Sequence, residues 1–198
     1  TIARSSVPTG AHKGTYEAQP LRDGDSDRFS GLGVMRAIDT INTEISPKIV
    51  GMEASEQQKI DKLLLELDGT QNKAKLGGNT TLAVSQAVCK AAAKSSLLPL
   101  VVYIRQFISL QGKDHKIPTP MFNVIEGGKH ADNILNFQEF LVIPATSHSL
   151  TESIEIGVTM YHKIREYIKD NNQTVLNADE GGFAPPLATN ADALRLIK

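Results

Sequence analysis

The run Asp179-Glu180-Gly181-Gly182-Phe183-Ala184-Pro185 follows a strand-like stretch, Thr174 to Ala178, and sets an acidic pair directly against two glycines. Glycine adopts positive φ without steric cost and leaves room for a second backbone or a ligand. A carboxylate beside such a pair, at a strand end, can sit in a cleft with backbone pressed around it. Desolvation there would suit Glu180 to donate a proton. An acidic surface turn explains the same four residues when they are taken alone.

Three other segments carry candidate chemistry. Glu126-Gly127-Gly128-Lys129-His130-Ala131-Asp132-Asn133 also follows an apolar run. It reads as an anion site built from side-chain charge and exposed amides, or as an exposed loop with an incidental histidine. Gln138-Glu139 lies inside the apolar run Phe137 to Val142. A buried ionised carboxylate there needs a partner, through a structural ion pair or a functional role. Val7-Pro8-Thr9-Gly10-Ala11-His12-Lys13-Gly14 has glycines flanking His and Lys, able to fold over an anion. It lacks the spacing of a nucleotide-hydrolase phosphate loop.

Hydrophobic spacing supplies the frame. Val34, Ile38, Ile41 and Ile45 predict a helix that Pro47 stops soon after. Ser55 with Gln58 predicts a capping box for a second helix, with Ile60, Leu63, Leu64 and Leu67 as its stripe and Gly69 as its stop. Asn79 is the expected cap of an alanine-rich helix over Thr80 to Lys94, and Leu97 to Leu110 could add a short helix. The polar segment from Gln111 to Lys116 reads as a linker, which divides the chain into domains 1–112 and 113–198. Beyond it, Pro118 to Ile125 and Phe137 to Pro144 are expected as buried strands, and Ser149 to Asp170 as a helix with Ile154, Val158, Tyr161 and Ile168 on its apolar face. Helical patterning resumes near Asn190.

Composition narrows the function classes. The 198 residues are 40% hydrophobic and 22% charged with a formal net charge of -1, so no overall field draws the chain to nucleic acid or to an anionic membrane. An anionic substrate must be held locally. No stretch approaches the roughly 20 apolar residues of a membrane span. Cys89, in an apolar helical run, has no partner for an internal disulfide, and a reducing cytoplasm fits best. The start at Thr1 reads as internal to a longer protein.

Together and in this order, these segments resemble the enolase family across nearly the whole chain. Val7-Pro8-Thr9-Gly10-Ala11 and Leu21-Arg22-Asp23-Gly24-Asp25 are similar to the family's mobile loop and the stretch after it. Leu67-Asp68-Gly69-Thr70, Asn72-Lys73 and Leu76-Gly77-Gly78-Asn79 resemble its small-domain signature. Gly127-Gly128 with His130-Ala131-Asp132-Asn133, then Gln138-Glu139-Phe140, resemble the start of its barrel, and Asp179 to Pro185 is the most specific piece.

The resemblance implies an α+β N-terminal cap domain followed by the opening of an enolase-type (β/α)8 barrel, incomplete here. It implies reversible dehydration of 2-phosphoglycerate to phosphoenolpyruvate, with Mg2+ as cofactor, a small-molecule partner and a homodimer. By the same resemblance Glu180 protonates the leaving hydroxyl, Glu139 supports it, and His130 and Gln138 line the substrate site. Gly10, Ala11 and Lys13 would close over the substrate. The family loop normally carries Ser-Thr where this chain has His12-Lys13, and that serine helps hold a second magnesium. His12 therefore stands at a metal position although imidazole is a poor magnesium ligand, and Lys13 would instead meet the phosphate. Pro186 replaces the asparagine usual after Ala-Pro. The primary magnesium ligands and the lysine base belong to later barrel strands, so the isolated chain is expected to be inactive. The alternative reading is a non-catalytic binding or structural protein on an enolase scaffold.

Overall fold

A computed structural model describes residues 1–8, 14–108 and 116–198. The chain divides into two compact units, Thr1–Lys113 and Asp114–Lys198. The domain boundary expected at 112/113 lies outside the described residues.

Every regular element among the described residues of the first unit is helical. Helix α1 (Met35–Thr40) runs through a π-helical turn, Ile41–Ile45, into α2 (Ser46–Ile49) without a break. Pro47 therefore does not stop the helix. It occupies the first turn of α2, and the wide π turn just before it falls where a proline ring would otherwise crowd a regular α ladder. Val34 and Ile38 stay exposed, and Ala37, Thr40 and Ile45 are the residues that face inward.

Helix α3 (Gln57–Asp68) ends at Gly69 in the left-handed conformation (φ 67°), as its sequence implies. Its start differs from expectation: Glu56 is the cap residue and no side chain closes a capping box, so Ser55 has no such role. Helix α4 (Gly78–Ser95) begins two residues early, with Gly77 before it. Asn79 does not cap it. Its side chain instead pairs with the Leu21 backbone, accepting from the amide at 2.8 Å and donating to the carbonyl at 3.0 Å. Helix α5 (Leu100–Arg105) follows. Ile45, Ile60, Leu64, Leu76 and Val84 form one core, while Ala92 and Ala93 pack with Tyr103 in a second, where small side chains let α4 and α5 approach closely.

Asp68 ties α3 to the loop before α4. Its carboxylate accepts from the Leu76 amide at 2.7 Å, the Thr70 amide at 3.0 Å and the Thr70 hydroxyl. Burial pushes its pKa up, but the bonds from Thr70 and Leu76 outweigh burial and hold it below the ordinary aspartate range. The stabilisation is thus complete above the ordinary aspartate pKa and is lost as pH falls through the lower folded value. Asp68→Ala, which strands those donors, is expected to cost roughly 1–3 kcal/mol in denaturant unfolding at neutral pH and to flatten that acid-side dependence.

The second unit is built on two strands, β1 (Phe122–Glu126) and β2 (Glu139–Val142), paired antiparallel. Only twelve residues join them and no helix crosses over, which demands an antiparallel return. A bulge between Asn123 and Ile125 leaves Val124 unpaired with β2. Its carbonyl instead accepts the Phe183 amide at 3.0 Å, and the Glu126 amide donates to the Phe183 carbonyl at 2.9 Å. Phe183 thereby joins β1 in parallel. Strand β1 is buried at Val124, Ile125 and Glu126, whereas β2 buries only Phe140. The expectation of two buried strands is therefore corrected for the second.

Helix α6 (Leu150–Asp170) opens with a capping box between Ser149 and Glu152, and α7 (Asn190–Ile197) with one between Thr189 and Asp192. Ile164 and Ile168 of α6, Val124, Ile125, Phe140, Phe183 and Ala193 make the core of this unit. Ile154 and Val158, expected on the apolar face of α6, are exposed, and Ser153 and Gly157 are buried in that part of the helix. Thr174 to Ala178 makes no strand beyond an isolated bridge from Asn177 to Phe183.

Candidate active site

The loop leaving β1 is fastened back onto the strand ends, and that brings its functional side chains together. The Gly127 amide donates to the Gln138 carbonyl at 3.0 Å and the Gly128 amide to the Leu135 carbonyl at 2.8 Å. Asn133 completes the clasp, its side chain donating to the Glu126 carbonyl at 2.8 Å and accepting from the Leu135 amide at 3.1 Å. Glycine at 127 is required by this approach: a Cβ there would lie 2.5 Å from the Phe137 carbonyl oxygen. Gly127→Ala is accordingly expected to destabilise the second unit by about 1–3 kcal/mol, read as a lower denaturant midpoint.

His130 ends a one-turn 3-10 helix, Gly128–His130, and is buried. The side-chain amide nitrogen of Gln138 meets its Nε2. The other ring nitrogen, Nδ1, faces the Glu180 carboxylate. That nitrogen lies 3.8 Å from Glu180 Oε1. The donor atoms of His130, Glu139 and Glu180 all fall within 4.8 Å of one another, close enough for the three side chains to hold a metal ion or to grip one small polar ligand.

Two expectations about burial are corrected. Glu139, at the start of β2, is exposed and has no ion-pair partner among the described residues. The Glu180 side chain is 51% exposed, so the described residues do not desolvate it. An open cleft of about 500 Å³ lies beside Glu180, lined by Asn123, Tyr161, His162 and Gly181 among others, and neither His130 nor Glu139 contributes to its wall. Gly10, Ala11, His12 and Lys13 lie outside the described residues.

The turn that carries Glu180 is held from both sides. Gly181 has φ 94°, a conformation that a residue with a side chain adopts only at a cost. Its carbonyl accepts from the Tyr161 hydroxyl at 2.8 Å and from the Asn177 side chain at 2.9 Å. The Asp179 amide donates to the His130 carbonyl at 3.3 Å, which links the two glycine-rich segments directly. Opposite Tyr161, the carboxylate of Glu126 takes the amides of Glu180 at 3.2 Å and of Gly182 at 2.6 Å. Sequence reasoning assigns no site role to Asn123 or Asn177, reads Tyr161 only as an apolar helix position, and includes Glu126 only as the first residue of a glycine-rich segment. The one signal for Glu126 is an acidic residue at the end of an apolar strand. The sequence points to Glu139 as the buried carboxylate, whereas Glu126 is the one that is 0% exposed.

Comparison with known proteins agrees with the order of these segments. Residues 1–104 match the family described as "Enolase, N-terminal domain", and residues 114–198 match "Enolase, C-terminal TIM barrel domain". A curated relative described as "Enolase", from Malacoplasma penetrans (strain HF-2), is 47% identical over 197 residues. The chain belongs to the enolase family. That alignment covers 99% of the chain and 44% of the relative, so the chain spans less than half the length of this enolase. The second unit is the opening of a TIM-barrel domain, and its antiparallel β1–β2 pair departs from the all-parallel form of such barrels. No helix among the described residues is long and apolar enough to cross a membrane.

Proposed function

We propose that the protein containing this chain is an enolase in activity as well as in family, a hydro-lyase that removes water from 2-phosphoglycerate to give phosphoenolpyruvate, reversibly. The observation that carries the reading is the meeting of His130, Glu139 and Glu180 within 4.8 Å, on the segments that match the family. Dehydration needs a proton taken from the carbon beside the substrate carboxylate and a proton given to the departing hydroxyl. Glu180 has the geometry to give the second proton, because it sits on a rigid turn with its side chain open to a ligand. Glu139 accepts from the same hydroxyl and orients it. His130, whose ring is met by Gln138 on one side, turns Nδ1 toward this centre and can hydrogen-bond an oxygen of the substrate.

Magnesium is the cofactor expected from the family resemblance. The His130, Glu139 and Glu180 set does not suit it as a resident ion. Mg2+ demands near-octahedral oxygen ligation, while this set includes a buried imidazole already engaged by Gln138. These three side chains are therefore assigned to substrate, and magnesium is assigned to residues outside them. A soluble cytoplasmic homodimer is the accompanying expectation, with no membrane or nucleic-acid partner.

The complete gene product, assayed with magnesium, is expected to convert 2-phosphoglycerate to phosphoenolpyruvate. Chelation should abolish turnover and added Mg2+ should restore it. A folded complete protein with no turnover at any magnesium concentration would instead support a binding or structural protein on an enolase scaffold. The 198-residue polypeptide alone is expected to show no turnover.

A further inference from the structure

We infer that Glu126 is a positioning residue for the reaction: a buried carboxylate that holds the Glu180–Gly182 turn by its amides and so aims the Glu180 side chain. This rests on the proposed dehydratase reading for its catalytic consequence, though not for the structural hold itself. Glu126 is fully buried, and no cation pairs with it among the described residues. A buried carboxylate without a counter-charge is costly unless hydrogen-bond donors surround it. Here they do. Glu126 Oε1 accepts from the Gly182 amide at 2.6 Å and from the Asn123 side chain at 3.1 Å, while Oε2 accepts from the Glu180 amide at 3.2 Å.

All three partners are donors, and only an acceptor-only group can satisfy them together. A glutamine of the same shape would turn its NH2 toward an N–H on one side or the other. The Glu180 amide would then lose its acceptor, or the Gly182 amide and Asn123 would. The carboxylate is anchored on β1, the most buried strand of the unit, so it ties the exposed acid of the site to a rigid base. Tyr161 and Asn177 fix the Gly181 carbonyl on the other side of the turn. Glu126 bonds to the turn only through backbone amides, so its effect on the reaction passes through the placement of Glu180.

Glu126→Gln in the complete gene product tests this with two readouts. Hydrogen exchange of the Glu180 or the Gly182 amide, whichever loses its acceptor, should quicken at least about tenfold relative to amides of α6. In parallel, kcat should fall about 10- to 100-fold with KM changed less than about threefold, since orientation is lost rather than binding. Exchange at both amides unchanged, or exchange quickened with kcat intact, would overturn the inference. Should Glu126→Gln not fold, Gly182→Ala approaches the same contact from the other side. Its added Cβ would lie 2.9 Å from Glu126 Oε1 and 3.0 Å from Asn123 Oδ1, so it displaces the carboxylate without altering a β1 residue. The same pairing of faster exchange and lower kcat is expected, and wild-type values for both would refute the role. If the wild-type protein is inert toward 2-phosphoglycerate, the dehydratase reading fails, and the exchange comparison alone still decides whether Glu126 holds the turn.

Discussion

Glu180→Gln in the complete gene product is expected to lower kcat by about 10²–10⁴-fold, the usual contribution of a positioned general acid, with KM for 2-phosphoglycerate nearly unchanged. The substitution keeps the side chain's size and its hydrogen-bonding reach but removes the proton to be given away. It leaves the turn intact, because that turn is held by the Glu180 and Gly182 amides, the Gly181 carbonyl and Tyr161, none of which involves the Glu180 carboxyl. Its thermal midpoint should therefore match the wild type, which separates a chemical defect from a folding one. Wild-type turnover in this variant would remove Glu180 from the reaction.

Phe183→Ala has the largest expected effect on stability, roughly 3–5 kcal/mol, the range for deleting a buried aromatic ring. Phe183 is 1% exposed and stacks on Tyr161 with ring centroids 4.3 Å apart. Its backbone is also the link that joins the Glu180 turn to β1, through the Val124 carbonyl and the Glu126 amide. Losing the ring opens a cavity and releases Tyr161, so activity should fall along with the denaturant midpoint. Phe183→Leu, which refills part of the space, should recover most of the stability. A cost below about 1 kcal/mol for the alanine variant would show that this core relaxes around the loss and does not depend on the ring.

Where the residues themselves carry the geometry, the sequence is a reliable guide. Gly69 ends α3 because a left-handed residue is needed there, and α6 and α7 begin beside Ser149 and near Asn190, where the periodic patterning starts. His130, Glu139 and Glu180 are legible as site residues only through their motifs and order. Nothing in their spacing predicts that atoms 41 to 50 positions apart, Glu139 to Glu180 and His130 to Glu180, meet within 4.8 Å. The failures have a common physical source. The apolar run around Glu139 implies its burial, but β2 is half covered and its pleat turns only Phe140 inward. Asn79 and Ser55 look like caps locally. A long-range pairing with Leu21 claims Asn79, and the helix begins two residues beyond Ser55. The role of Glu126 is hard to read from the sequence because two of its three partners are backbone amides 54 and 56 residues away, which leave no side-chain signature.

The site's convergence on one substrate is tested most directly by a crystal structure of the complete gene product with 2-phosphoglycerate bound. The expected result is the departing hydroxyl within about 2.6–3.2 Å of the Glu180 carboxyl, with Glu139 on the same oxygen and His130 Nδ1 facing the ligand. A substrate bound elsewhere, or one whose hydroxyl is out of reach of both glutamates, would contradict it.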